Sequence, residues 1–212
     1  MSRVVQVIIV LCAGFVGLYF ANQFFNPTPQ LESARVYDQP RNIPAFELSS
    51  TQDSEATNED LMGHWTLLFT GYTYCPDICP TTMSLLKSNM ARLQEATDIP
   101  IEVWMISVDP KRDHMEQITR YVNFFGDGFV GVRAEHPELY PFVTSIGMMY
   151  SVPAPEEEVY EVAHSAAIVL VNPEGQQHAI FQPVHRPGAY TTIEPEAFVS
   201  DFQQIVRAAR FN

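Results

Sequence analysis

Trp65-Thr66-Leu67-Leu68-Phe69-Thr70-Gly71-Tyr72-Thr73-Tyr74-Cys75-Pro76-Asp77-Ile78-Cys79-Pro80 is the stretch from which the rest of the chain can be read. Its first eight residues, 65–72, are short, aromatic and β-prone, with Gly71 bounding them, which predicts a buried strand. Residues 78–96 then place Met83, Leu85, Leu86, Met90 and Leu93 at helical spacing. Pro76 and Asp77 are residue types favoured around a helix start, so Cys75 and Cys79 fall at a strand-to-helix junction. If the first helical turn begins beside Cys75, the spacing of four brings both sulfurs to one face, about 5–6 Å apart at Cβ. The positive end of the helix dipole favours thiolate there, so both thiols are expected to have lowered pKa values. Such a pair suits a bridging metal, a disulfide or exchange chemistry. A purely stabilising disulfide adds little to a chain with a core of this size.

Outward from this junction the pattern alternates. Residues 101–108 read as a strand, 115–125 as a helix ended by Gly126, 129–132 as a short strand and 137–149 as a helix. Residues 166–171 form a continuous apolar run expected to be a central strand. Asn172-Pro173-Glu174-Gly175 is a turn, 177–181 is the returning arm of a hairpin, and 195–210 is a closing amphipathic helix. This order predicts an α/β fold, a mixed β-sheet flanked by helices on a thioredoxin-like plan.

At the amino end, residues 4–21 run uncharged with one amide, Gln6, a length of about 27 Å if helical. Residues 1–21 are therefore expected to be an uncleaved N-terminal transmembrane helix; a cleaved signal peptide is the competing reading. Arg3 precedes the segment and few basic residues follow it, which places the remainder outside the cytoplasm. Cys12 is an apolar filler of that helix. Residues 22–44, with Pro27, Pro29, Pro40 and Pro44, are expected to be a linker, and 45–212 the globular domain.

The 212 residues carry a net charge of -13, which excludes nucleic acid and anionic lipid surfaces as partners and leaves a neutral or basic protein. The run Glu156 to Glu158 is a solvated loop or a guide for such a partner. Two thiolates satisfy copper(I), and a third, nitrogen ligand would strengthen a soft-metal site. Among His64, His114, His136, His164, His178 and His185, His164 stands out, because it immediately precedes the most apolar strand, where a thioredoxin-like plan passes its loop beside the cysteine pair. His185, between Val184 and Arg186, is the other residue to test. The eight methionines are read as packing rather than as ligands.

Three separated strings resemble one family. Gly71 to Pro80, then Ser107-Val108-Asp109-Pro110-Lys111-Arg112-Asp113, then His164-Ser165 followed by Asn172-Pro173-Glu174-Gly175, are similar in order and spacing to the Sco (SenC) proteins. That resemblance implies a membrane-anchored thioredoxin-like domain that binds copper, as Cu+ or Cu2+, through Cys75, Cys79 and His164. Asp109 is expected either as a group supporting the site or as a turn residue before Pro110. Family members usually carry an acidic residue just before the histidine, where this chain has Ala163.

The implied function is delivery of copper to the dinuclear centre of cytochrome c oxidase subunit II, with another copper chaperone as a further partner. The implied location is the outer face of a bacterial inner membrane. A mitochondrial membrane is disfavoured because no Arg-rich presequence precedes the anchor. The main alternative is a thiol-disulfide oxidoreductase in which Cys75 and Cys79 are the catalytic residues and cycle through a Cys75–Cys79 disulfide. Against pure exchange chemistry, three residues rather than two separate the cysteines, and no proline directly precedes the strand after His164. A peroxiredoxin-like peroxidase and a zinc site are the remaining alternatives.

Overall fold

The computed structural model describes residues 5, 6, 8, 9, 11–17, 31–154, 160–183 and 192–209. Contacts divide the chain into Met1–Gln30 and Leu31–Asn212. In the first unit the described residues are helical. Among the described residues no helix is long and apolar enough to cross a membrane. The expected anchor lies partly outside them, since positions 4, 7, 10 and 18–21 are not described.

The second unit is built on one eight-stranded mixed sheet. Its strands are β1 (Ala34–Asn42), β2 (Glu47–Ser50), β3 (Glu55–Thr57), β4 (Trp65–Gly71), β5 (Ile101–Ser107), β6 (Phe129–Arg133), β7 (Ile168–Val171) and β8 (Gln176–Phe181). The helices are α1 (Ile78–Gln94), α2 (Met115–Asn123), α3 (His136–Ser145) and α4 (Pro195–Ala209), with a 3-10 turn at Asn58–Leu61. The spatial order is β1-β8-β7-β4-β5-β6-β2-β3. β4, β5 and β6 are parallel, and the remaining neighbours pair antiparallel.

All seven residues of β4 are buried, because both faces of the sheet are covered. Alternation along the strand sends Leu67 and Phe69 toward Met83 and Leu86 of α1 and Phe198 and Phe202 of α4. Leu68 faces the other way, with Trp104 and Ile106 of β5 and Leu139 and Val143 of α3. Gly131 of β6 has a steric reason to be glycine: a Cβ there would lie 2.1 Å from the Ile118 side chain of α2.

The expected α/β plan is found, with a difference at the start of the domain. The stretch expected to be linker contains β1, paired with β8 from Ala34↔Phe181 to Asn42↔Gln176. Proline and polar residues suggested a linker, yet these are what an exposed edge strand carries. Pairing across the fold, rather than local pattern, makes it a strand. Asp201 of α4 fixes its entry: the carboxylate accepts from the Ser33 and Ala34 backbone N–H groups at 2.7 and 2.8 Å and from the Ser33 hydroxyl at 2.9 Å. β2 and β3, four and three residues long, carry too little pattern to be read from sequence.

Candidate metal centre

β4 and β5 run parallel and in register from Trp65↔Ile101 to Gly71↔Ser107, so their carboxyl ends finish side by side. The candidate ligands gather at this end. After Gly71 the chain turns, with the Cys75 N–H donating to the Tyr72 carbonyl at 3.1 Å. α1 begins only at Ile78, and the Asp77 carbonyl accepts from the Thr81 N–H and hydroxyl at 3.2 and 2.7 Å. Cys75 therefore lies in the turn before the helix and not on its first turn. The sulfurs converge because the turn folds Cys75 back over Cys79, which replaces the expected shared helical face.

Cys79 is 1% exposed, Cys75 is half-buried and both are free thiols. The Cys79 sulfur packs against the end of β4, where a Cβ on Gly71 would come within 3.0 Å of it. Glycine at 71 is thus what leaves room for the sulfur.

His164 arrives from the other side. An isolated antiparallel bridge pairs it with Tyr150, closed by Ser151 N–H to Ala163 O at 2.8 Å and Ser165 N–H to Met149 O at 2.9 Å. Its Nδ1 lies 3.1 Å from the Ser165 carbonyl, which also accepts from the Thr70 hydroxyl at 2.9 Å. A proton on Nδ1 satisfies that contact and leaves Nε2 with its lone pair toward the sulfurs. Nε2 is 3.6 Å from Cys79 Sγ. The Tyr72 ring stands edge-on to the imidazole, with centroids 5.7 Å apart.

One donor atom from each of Cys75, Cys79 and His164 lies within 4.8 Å of the others. With metal–sulfur bonds of about 2.3 Å, two sulfurs on one ion are separated by at most about 4.6 Å. The three groups can therefore close on one ion with little movement. Two soft sulfurs and one imidazole suit copper or zinc better than calcium or magnesium. An open cleft of ≈ 400 Å³ exposes the site, bordered by Tyr72, Asp77, Glu161 and Ala163 beside Cys75 and His164.

The sulfurs do not share the lowered pKa expected for both. The Cys75 thiol is pulled down to about 3, chiefly by a hydrogen bond from Cys79, with help from His164 and from the Cys79 and Asp77 backbone N–H groups against the opposing effect of burial. Cys79 is pushed up by its hydrogen bond to Cys75 and by burial. Two adjacent thiolates repel, so one proton stays with the more buried sulfur.

The other histidines do not join the cluster. His64 lies at the opposite end of β4, with Nε2 3.2 Å from Glu102. His178 is on β8 against Trp65, and burial lowers its pKa. His136 meets the Tyr150 hydroxyl at 2.9 Å, and His114 is the residue before α2. His185 and the run Glu156 to Glu158 lie outside the described residues.

Asp109 is 1% exposed and is not one of the three clustered groups. It accepts from Arg112 Nε at 2.5 Å and from the Tyr160 hydroxyl at 2.8 Å. Asp113, to which no sequence pattern assigns a role, is fully buried behind the cysteine turn. Its carboxylate accepts from the Thr73 backbone and hydroxyl and from the Ser107 hydroxyl, the last at 2.6 Å, while burial raises its pKa. The available signal was its place in the Asp109-to-Asp113 string, four residues after a turn aspartate, where a second buried carboxylate has no surface role. Tyr72 and Arg112, which meet beside the site, likewise carry no sequence signal of a role there.

Fold and site together define a thioredoxin-like domain with a Cys–Cys–His cluster at the carboxyl end of its parallel strands. The sequence matches the SCO1/SenC family over residues 35–194, and the chain belongs to that family. It is 36% identical over 148 residues to a protein of Stutzerimonas stutzeri named as a candidate copper-binding protein, covering 68% of this chain and 72% of that one. It is 33% identical over 129 residues to the mitochondrial SCO1 homolog 1 of Arabidopsis thaliana, covering 61% of this chain and 39% of the relative. The crystal structure of Arabidopsis thaliana ScoI with copper bound is similar at TM-score 0.64 and 27% identity, over 77% of this chain and 97% of that one.

Proposed function

We propose that this protein binds copper through Cys75, Cys79 and His164 and passes it to the dinuclear copper centre of cytochrome c oxidase subunit II. The observation that carries this reading is the convergence of two sulfurs and one imidazole nitrogen within 4.8 Å, beside an open cleft. Copper-bound relatives support the metal, and the Sco family is one of cytochrome c oxidase assembly proteins. Copper is the cargo. Cys75 offers a ready thiolate, Cys79 gives up its proton on binding, and His164 Nε2 completes three-fold coordination. An acceptor sulfur or imidazole can enter through the cleft before the donor ligands leave. In this reading residues 1–21 anchor the chain to a bacterial inner membrane with the sheet domain, from β1 onward, on the outer side, and a second chaperone supplies the metal.

Anaerobic purification followed by metal analysis tests binding, and transfer to a copper-free subunit II domain tests delivery. We expect one copper per chain, with His164→Ala lowering copper(II) affinity by at least the roughly ten- to hundredfold that loss of a group supporting a metal ligand costs. Equal copper affinity in His164→Ala would remove the imidazole from the ligand set. Preference for zinc over copper(I) in competition would replace the cargo.

The split protonation of the pair supports a second reading, reduction of the acceptor's cysteines. The Cys75 thiolate attacks the acceptor disulfide, forming a mixed disulfide and releasing one acceptor thiolate. Cys79 then attacks Cys75 Sγ, releasing the second thiolate, which takes up the Cys79 proton. Two electrons leave the pair, which becomes the Cys75–Cys79 disulfide. Retention of this activity in His164→Ala, with copper affinity markedly lowered, would separate the two chemistries.

A further inference from the structure

The three ligands come from two chain segments 85 positions apart. The Cys79 sulfur and His164 are 3.6 Å apart, the Val162 N–H meets the Tyr72 hydroxyl at 3.4 Å, long for such a bond, and the Thr70 hydroxyl ahead of the turn donates to the Ser165 carbonyl at 2.9 Å. A further connection, touching both segments and the end of β5 at once, runs through Arg112. Its Nη1 donates to the Tyr160 carbonyl at 3.1 Å, and its Cζ lies 3.8 Å from the Tyr160 ring centroid. The same guanidinium lies 5.1 Å from the Tyr74 ring and 5.6 Å from the Tyr72 ring. Its Nε is paired with the buried Asp109, which also holds the Tyr160 hydroxyl.

We propose that Arg112 is a positioning residue that braces the cysteine turn against the histidine segment and so sets the separation between the two sulfurs and His164. This rests on the copper reading above only for its effect on metal. Tyr72 and Tyr74 flank Thr73, just before Cys75, Tyr160 lies four residues before His164, and Asp109 follows β5. One planar cation is in contact with all three elements. Stacking on rings while donating in its own plane is available to a guanidinium and not to an ammonium. Among the described residues Nη2 is buried without a hydrogen-bond partner.

The brace has a consequence for valence. Copper(I) is satisfied by two thiolates, whereas copper(II) prefers additional nitrogen or oxygen ligands in a tetragonal arrangement. Loosening the histidine segment leaves the sulfur pair intact and weakens the imidazole contribution. Arg112 therefore favours copper(II) retention more than copper(I) retention.

The test uses the full chain with Arg112→Gln, Arg112→Lys and Tyr160→Phe. Competition titrations are run in each copper valence, with the sulfur-to-copper(II) absorption band and NMR of the metal-free His164 ring protons. Arg112→Gln is expected to lower copper(II) affinity roughly ten- to a hundredfold, with a weakened band. Copper(I) affinity is expected to change by less than roughly threefold, in keeping with the sulfur pair alone. Arg112→Lys should behave like Arg112→Gln, and Tyr160→Phe should shift the same readouts less. In the metal-free protein the His164 ring protons, placed by the edge of Tyr72, should move toward free-histidine positions in Arg112→Gln. Unchanged ring protons would overturn the brace whether or not the chain binds copper. Equal loss of both valences, with a lowered Tm, would reduce Arg112 to a stabiliser of the fold. Failure of the unmutated chain to bind copper, with the ring protons moving as expected, would overturn the copper reading and leave the brace standing.

Discussion

Cys79 lies in the first turn of a 17-residue helix, 1% exposed, with its sulfur against Gly71 at the end of the fully buried β4. His164 instead sits on an isolated bridge to Tyr150, between exposed Ala163 and half-buried Ser165. One arm of the site is part of the core and the other is laid over its edge. Few buried apolar contacts make a segment the first to open locally. A copper carrier benefits from this contrast, since the sulfurs can stay in place while the imidazole yields to an incoming ligand.

Gly71→Val strikes the rigid arm and should have the largest effect. The backbone at 71 tolerates a side chain, because its φ is not in the left-handed region, so any loss comes from crowding the Cys79 sulfur at 3.0 Å and the Phe69 and Met105 side chains at 3.3 and 3.4 Å. Overpacking of this kind costs about 1–3 kcal/mol, and here it displaces a ligand. We expect copper per chain to fall to near zero and the thermal midpoint to drop. Full copper occupancy in this variant would show that the sulfur's seat against β4 is not required.

Alkylation by iodoacetamide, followed at each cysteine by peptide mass spectrometry, is expected to report how the arms are coupled. With the Cys75 pKa held at about 3, its thiolate persists at every pH above that value, so labelling should be nearly flat between about pH 5 and 8. An ordinary thiol near pH 8.5 would slow about tenfold per unit below its pKa. His164 is one of the groups lowering the Cys75 pKa, so His164→Ala should move the onset of labelling upward. Labelling that falls steeply below pH 8 in the unmutated chain would refute the split protonation.

The rigid arm was the more legible one. Met83, Leu86 and Leu93 at helical spacing and the β-prone run from Trp65 announce a strand and a helix locally, and the cysteines between them inherit their position. His164 was legible only through its place before an apolar strand and through resemblance, because a bridge of one residue leaves no periodic trace. The carboxylates Asp109 and Asp113 lie six and two residues before the start of α2 at Met115, in a string whose turn chemistry is plain, yet their burial depends on β5 ending beside β4. β1 was unreadable for the same kind of reason, since its partner β8 is some 140 positions away. Patterns that repeat along a segment were visible, and contacts between distant segments were not.

Thr70→Val touches the flexible arm more gently. It removes one of two donors to the Ser165 carbonyl and leaves His164 Nδ1 as the other. A hydrogen bond of this kind contributes about 1 kcal/mol, so stability should fall by about that amount and copper affinity by a few-fold. Loss as large as in Gly71→Val would mean that the histidine arm is no looser than the cysteine arm.

The opposite end of the same strands supplies the smallest expected effect. His64 and Glu102 approach to 3.2 Å where β4 and β5 begin, a histidine–carboxylate pair as plausible by composition as anything at the other end. Six residues of strand lie between it and Gly71, a span of about 23 Å of extended chain, and it is not part of the metal-binding cluster found among the described residues. Parallel strands carry their functional groups at their carboxyl ends, where the following turns and helix starts converge. His64→Gln should therefore leave copper affinity in both valences unchanged and alter stability by less than about 1 kcal/mol. A loss of copper affinity in that variant would join the two ends of the sheet energetically, and the division of labour between them would have to be abandoned.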